Sequence, residues 1–268
     1  MAKRPKPSQT AHVRPGGEPI KRGRGGGQAS TPSLWAEGSP TGRQRRYGGA
    51  MTGLFARPRA EIVPGAVHLP GWLTPGEQRQ LVAACREWAE PPAGMRHTPM
   101  PSGGQMSAQT VCLGWHWMPY RYSRTADDVD GAPVKPFPTW LGDLGRQAVA
   151  DAYGDQHLAG SYSPDAALIN FYDDQARMGM HTDKDERSAA PVVSLSLGSA
   201  CIFRFGNAQT RGKPWHDVML ASGDLFVFGG EARFAYHGVT GTIPGTEQPE
   251  IGLPAGRLNI TLRESGLT

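Results

Sequence analysis

His181-Thr182-Asp183 places an imidazole and a carboxylate two residues apart. On an extended strand that spacing projects both side chains from one face. A second histidine completes a 2-His-1-carboxylate set, which holds Fe(II) at three positions and leaves the others open to incoming ligands. His237, in Ala235-Tyr236-His237-Gly238-Val239, is the candidate. Alone, an HxD tripeptide reads more readily as a turn in which Asp caps a nearby backbone group, so the pattern needs company.

The last strand supplies it. Strict alternation in Arg257-Leu258-Asn259-Ile260-Thr261-Leu262-Arg263 puts Leu258, Ile260 and Leu262 on one face. Arg257, Asn259, Thr261 and Arg263 share the other. Two guanidinium groups and an amide on one face suit a small dianion, since each guanidinium can pair bidentately with a carboxylate. An edge strand with its polar face in water would show the same alternation. Asn170 and Tyr172, also two apart, add an amide and a phenol to one face of another strand.

Several elements must position these groups. Thr74-Pro75-Gly76-Glu77 is a helix start, with Thr as N-cap, Pro at the first helical position and Glu three after the cap. Leu81, Cys85 and Trp88 then turn inward until Pro91-Pro92 ends the helix. A second helix is predicted over 139–153, with Leu141, Leu144 and Ala148 inward. Before the first helix, 60–73 reads as a broken strand, and 95–136 reads as irregular and rich in aromatics. After Gly154 come short strands at 166–172, 192–197, 201–205, 217–220, 224–228, 235–239 and 257–263, the texture of a sandwich, barrel or jelly roll.

Charge divides the 268 residues unevenly. Residues 1–50 hold ten Lys/Arg against Glu18 and Glu37, or +8, so the remainder must be −4 for the whole to be +4. The tail is Gly/Pro/Arg-rich without periodicity and is expected to be disordered over 1–55, with Met51 a candidate start of the ordered chain. Such a tail can tether a protein to nucleic acid non-specifically. Cys85, Cys112 and Cys201 are odd in number and lack CxxC spacing, which argues against a disulfide framework or zinc site. No apolar run approaches a membrane span and no secretory signal opens the chain, so a cytoplasmic protein without membrane contact is expected.

Taken in order, Asn170-Phe171-Tyr172, His181-Thr182-Asp183, Ser222-Gly223-Asp224 with Gly229-Gly230-Glu231, Tyr236-His237-Gly238 and Arg257-Leu258-Asn259-Ile260-Thr261-Leu262-Arg263 resemble the AlkB family of Fe(II)- and 2-oxoglutarate-dependent nucleic-acid dealkylases. The resemblance is dense over about 160–265 and traceable from about 60. It implies a mainly β fold with flanking helices: a double-stranded β-helix (jelly-roll) core at 156–268, preceded by helices and a nucleotide-recognition lid at 56–155. It implies that His181, Asp183 and His237 hold Fe(II), and that Asn170, Tyr172, Arg257, Asn259 and Arg263 contact 2-oxoglutarate. The keto acid and O2 would be co-substrates, giving succinate and CO2 while an N-methyl group is hydroxylated and lost as formaldehyde.

The same resemblance assigns Trp115, Tyr120, Tyr122, Asp185 and Arg211 to the substrate, with Arg211 displaced by a loop one residue longer. An enzyme acting on a base must take it out of the stack and sandwich it between flat side chains. The implied substrates are N-alkylated bases such as 1-methyladenine and 3-methylcytosine in DNA, single strands favoured and RNA a second possibility, handled by a monomer in direct damage repair. Trp117-Met118-Pro119 shortens the run behind the pocket Trp, and the −4 charge outside the tail is unusual for a duplex-binding surface. An iron oxygenase of a modified tRNA base, protein side chain or small molecule is therefore the alternative, and a jelly-roll binding module without catalysis a third reading.

Overall fold

In the computed structural model residues 57–268 are described, so the basic tail lies outside the described residues. In chain order the strands are β1 (Ala60–Val63), β2 (Ala66–Leu69), β3 (Arg96–Pro99), β4 (Gln105–Leu113), β5 (His116–Met118), β6 (Arg121–Ser123) and β7 (Ala166–Tyr172). They continue as β8 (Met178–His181), β9 (Val192–Gly198), β10 (Cys201–Phe205), β11 (His216–Leu220), β12 (Leu225–Phe228), β13 (His237–Thr242) and β14 (Arg257–Arg263). The helices are α1 (Pro75–Ala89), α2 (Thr139–Tyr153) and α3 (Gln156–Ser161).

β7 to β14 divide equally between two sheets. β12-β9-β14-β7 form the middle of a larger sheet, and β11-β10-β13-β8 form a smaller one. Phe226 and Phe228 of the larger sheet pack against Phe203, Phe205 and Val239 of the smaller one in a shared core. Four strands in each layer around one core is the expected jelly roll. β2 and β1 extend the larger sheet at one edge, β4 and β3 at the other, in the order β1-β2-β12-β9-β14-β7-β4-β3. The described part of the 56–155 segment thus shares a sheet with the 156–268 core.

Local chemistry explains both expected helices. Thr74 Oγ1 accepts from the Glu77 amide at 3.3 Å while Glu77 returns a carboxylate to the Thr74 amide at 2.7 Å, closing the capping box that starts α1. Leu81, Val82 and Cys85 are buried; Trp88 is half-buried and stacks on Trp140 with ring centroids 5.9 Å apart. α2 ends at Gly154 in the left-handed conformation (φ 68°), and Gly145 lets it approach so closely that a Cβ there would lie 3.1 Å from Leu262 of β14. No helix among the described residues is long and apolar enough to cross a membrane.

The structure departs from the reading of 95–136 as irregular. β3, β4, β5 and β6 all fall there. β4 is ordered by pairing with β7, about sixty positions away in sequence (Thr110 opposite Asn170), and its first half, with Gln105, Ser107 and Gln109, carries little local strand signal. α3 is a further element not foreseen, a single short turn of helix capped by Asp155, which accepts from the amides of His157 and Leu158 at 2.9 Å.

Candidate active site

His181 ends β8 and His237 begins β13, and antiparallel pairing sets them opposite one another. The ring centroids are 4.5 Å apart. Asp183 follows just beyond the strand, so its carboxylate reaches the pair from a turn rather than from the strand face the sequence suggested. The three side chains bring one ligand atom each to within 4.8 Å of one another. His181 Nδ1 lies 2.9 Å from the Gly179 carbonyl, and His237 Nδ1 lies 3.0 Å from the Ala235 carbonyl. Only an N–H can bond a carbonyl, so each ring is protonated at Nδ1 and presents the Nε2 lone pair, the arrangement of a metal-ligating histidine.

For His181, electrostatics favour the same state. Burial, with His237 beside it, pushes His181 down to about 4, so the ring is neutral near pH 7. Burial alone would raise the Asp183 carboxyl, but Arg263, His237 and His181 hold it well below the usual carboxylate range. Asp183 Oδ1 is paired to Arg263 Nη2 at 2.7 Å, while among the described residues buried Oδ2 has no hydrogen-bond partner. Two imidazole lone pairs and one unpartnered carboxylate oxygen fit Fe(II) bound through a single carboxylate atom.

The expected co-substrate residues line the same cavity, of about 580 Å³. β14 runs between β7 and β9, with Arg257 opposite Tyr172 and Asn259 opposite Asn170 and Ser196. Thr110 of β4 continues the polar row, its hydroxyl donating to Asn170 Oδ1 at 2.8 Å. Arg257 is 1% exposed; its Nη2 donates to Ser196 Oγ at 2.9 Å, and its Nε and Nη1 have no partner among the described residues. A buried guanidinium with two unmet donors is costly until an anion joins it. A carboxylate of 2-oxoglutarate has the charge and shape to do so. Asn259 Nδ2 is held by Ser194 Oγ at 2.8 Å and the Leu195 carbonyl at 3.1 Å. Arg263 is already engaged, by Asp183, Glu186 and Tyr122.

The substrate residues divide. Tyr120, Asp185 and Arg211 line the cavity. Tyr120 is 70% exposed at its rim and held at φ 71°, a region that a non-glycine residue enters at a cost. Arg211 lies over the Tyr236 ring at 5.8 Å. Trp115 does not line the cavity, contrary to expectation. Gly114 (φ 75°) turns the chain before β5, and Trp115 is buried with its indole N–H on Asp165 at 3.0 Å and Arg124 over its ring. Trp117 takes the cavity position instead, its indole N–H donating to Asp185 at 2.9 Å. Arg96 fixes that placement by donating to the carbonyls of Trp117 and Thr110 at 2.7 and 2.9 Å. Tyr122 also lies off the cavity wall, its hydroxyl donating to Glu186. Trp117 could have been read from its spacing of two from Trp115; nothing in the sequence marks Glu186, Ser194 or Ser196.

Comparisons with known proteins agree with this geometry. The family profile described as the 2OG-Fe(II) oxygenase superfamily matches residues 65–263. The chain is 36% identical over 218 residues to an alpha-ketoglutarate-dependent dioxygenase AlkB homolog of Caulobacter vibrioides, covering 79% of this chain and 92% of that one. It is 32% identical over 221 residues to the DNA N(6)-methyladenine demethylase ALKBH1D of Arabidopsis thaliana, covering 75% of this chain and 50% of the plant protein. The chain thus spans about half the length of that relative. The solved structure of OsALKBH1 superposes with a TM-score of 0.67 at 31% identity, over 76% of this chain and 100% of that one.

Proposed function

Since the chain belongs to the AlkB family within the 2OG-Fe(II) oxygenase superfamily, we propose that it is an Fe(II)- and 2-oxoglutarate-dependent dioxygenase that removes alkyl groups from nucleobases. The observation that supports this most is the meeting, in one cavity, of the His181/Asp183/His237 ligand atoms and the unsatisfied guanidinium of Arg257. One group of residues is suited to the metal and the other to the far end of a keto diacid.

Bound Fe(II) and 2-oxoglutarate would supply the oxidising power, one atom of O2 passing to succinate and the other to the alkyl carbon. The chain's own residues do the rest. His181 and His237 offer neutral donors in fixed tautomers, and Asp183 offers one carboxylate oxygen with the other pinned by Arg263. Arg257, Ser196 and the Asn259–Asn170 row orient the co-substrate. Trp117 and Tyr120 provide flat surfaces for a base drawn out of its stack, with His181 on the metal side. Asp185, steadied by Trp117, is placed to accept from an exocyclic amine.

The substrates proposed are 1-methyladenine and 3-methylcytosine in single-stranded DNA. N6-methyladenine is the second candidate, because the plant relative is named for that activity. The test is anaerobic loading with Fe(II) and 2-oxoglutarate, admission of air, and single-stranded oligonucleotides bearing each base, with formaldehyde and repaired base measured by mass spectrometry. Stoichiometric release that stops without iron or keto acid is expected. Succinate formed without repair of any of these bases would overturn the nucleobase assignment.

A further inference from the structure

Glu186 follows Asp183 by three residues in a run of charge that sequence alone would leave in water, yet it is only 8% exposed. Both of its oxygens are occupied. Oε1 accepts from Arg263 Nη1 at 2.8 Å and from the Tyr122 hydroxyl, and Oε2 accepts from Arg233 Nη2 at 3.2 Å. Each of those arginines also holds Asp183: Arg263 Nη2 its carboxylate Oδ1 at 2.7 Å, Arg233 Nη1 its main-chain carbonyl at 2.6 Å. Arg233 is 2% exposed and tied by Nε to the Ala190 carbonyl at 2.8 Å, so it is a fixed post. Two carboxylates and two guanidinium groups balance to zero in the interior.

We propose that Glu186 is a positioning residue for the metal-ligating carboxylate. By sharing Arg263 with Asp183 it sets where that guanidinium sits, and Arg263 in turn occupies Oδ1, which leaves Oδ2, 3.6 Å from His237 Nε2, as the carboxylate oxygen without a hydrogen-bond partner among the described residues. A carboxylate restrained in this way binds through one atom, which keeps further coordination positions open for the keto acid and O2. Without the Glu186 charge the pair of arginines carries a net positive charge beside a divalent-cation site, and Arg263 is drawn wholly onto Asp183. Partners of metal ligands at one remove typically change metal affinity by about 10- to 100-fold when removed.

This inference rests on the metal assignment proposed above, and cobalt(II) separates the two. Full-length protein is titrated with Co(II) and its visible d–d absorption recorded, alongside His237→Ala, Glu186→Gln and Glu186→Asp, with thermal melts of each. If the unmutated chain takes up no Co(II) that His237→Ala loses, the triad assignment fails whatever Glu186 does. Given that uptake, Glu186→Gln is expected to weaken Co(II) binding by about 10- to 100-fold and to alter the d–d spectrum of the loaded protein. A lowered melting temperature with unchanged affinity and spectrum would make Glu186 merely structural and overturn the proposal. Should the Gln variant not fold, Glu186→Asp takes its place: charge is kept but the reach to both arginines is lost, so a smaller loss of affinity is expected and an unaltered affinity overturns the idea.

Discussion

Arg257 and Arg263 occupy equivalent positions in the sequence pattern and different ones in the structure. Arg257 has donors waiting for an anion, whereas Arg263 is invested in Asp183 and Glu186. Arg257→Ala should therefore raise the 2-oxoglutarate concentration needed for half-maximal succinate formation by roughly 30-fold or more, since removing one partner of a buried charge pair costs about 2–5 kcal/mol. Its thermal melt should hardly move, because the guanidinium is under-satisfied in the free protein. Arg263→Ala should instead lower both metal affinity and melting temperature, leaving two carboxylates buried without their shared cation. A binding isotherm for each variant checks the contrast. Asp185→Ala should change the ranking of methylated bases in competition assays while leaving succinate formation dependent on Fe(II). The arginine strand was legible because spacing within one strand dictates which side chains share a face, whereas the metal triad is assembled by the pairing of β13 with β8 and by Asp183 just beyond β8. Trp115 was misplaced because a left-handed glycine breaks the strand period just before it, and Glu186 was invisible because its partners come from distant parts of the chain.

Helix α1 was legible from its capping box, α2 from its inward apolar residues, and β14 from alternation. β3 and β4 were not, since long-range pairing orders them more than local propensity does. The helix that local signals fix should respond to local changes. Thr74→Ala removes the side-chain half of the capping box and should cost about 1 kcal/mol of stability, read as a shift in denaturant midpoint with unchanged slope. The residues between β13 and β14 end at Gly256, where φ is 77° and a Cβ would lie 2.7 Å from the Phe171 ring. That glycine lets the chain turn tightly over β7 and enter β14 with Arg257 facing inward. Gly256→Ala should therefore weaken 2-oxoglutarate binding as well as stability, and the same isotherms would show it.

At the scale of the molecule, Asp224 links the flanking strands to the larger sheet, accepting from His68 at 2.9 Å, from both terminal nitrogens of Arg57 at 2.7 Å and from two backbone amides at 2.9 Å. Burial would raise its carboxyl, but the hydrogen bonds from His68, Arg57 and the amides hold it below the usual range. Its contribution is thus complete above the unfolded pKa and is lost as pH falls through the lower folded value. Asp224→Asn should be less stable at pH 7 and lose less stability than the unmutated chain on acidification from about pH 5 to 2, measured by urea unfolding. The charge division of +8 in residues 1–50 against −4 elsewhere leads to a further expectation: removing 1–50 should spare turnover on short oligonucleotides and flatten the salt dependence of binding to long DNA. The site itself straddles the fold. His181 and His237 belong to the smaller sheet, Arg257 and its neighbours to the larger. A keto acid clasped by Arg257 and joined to a metal on the histidines would act as a crossbar between two plates otherwise joined by side-chain packing. Amide hydrogen exchange in β8 and β13 should slow when metal and keto acid are added together, and much less with either alone.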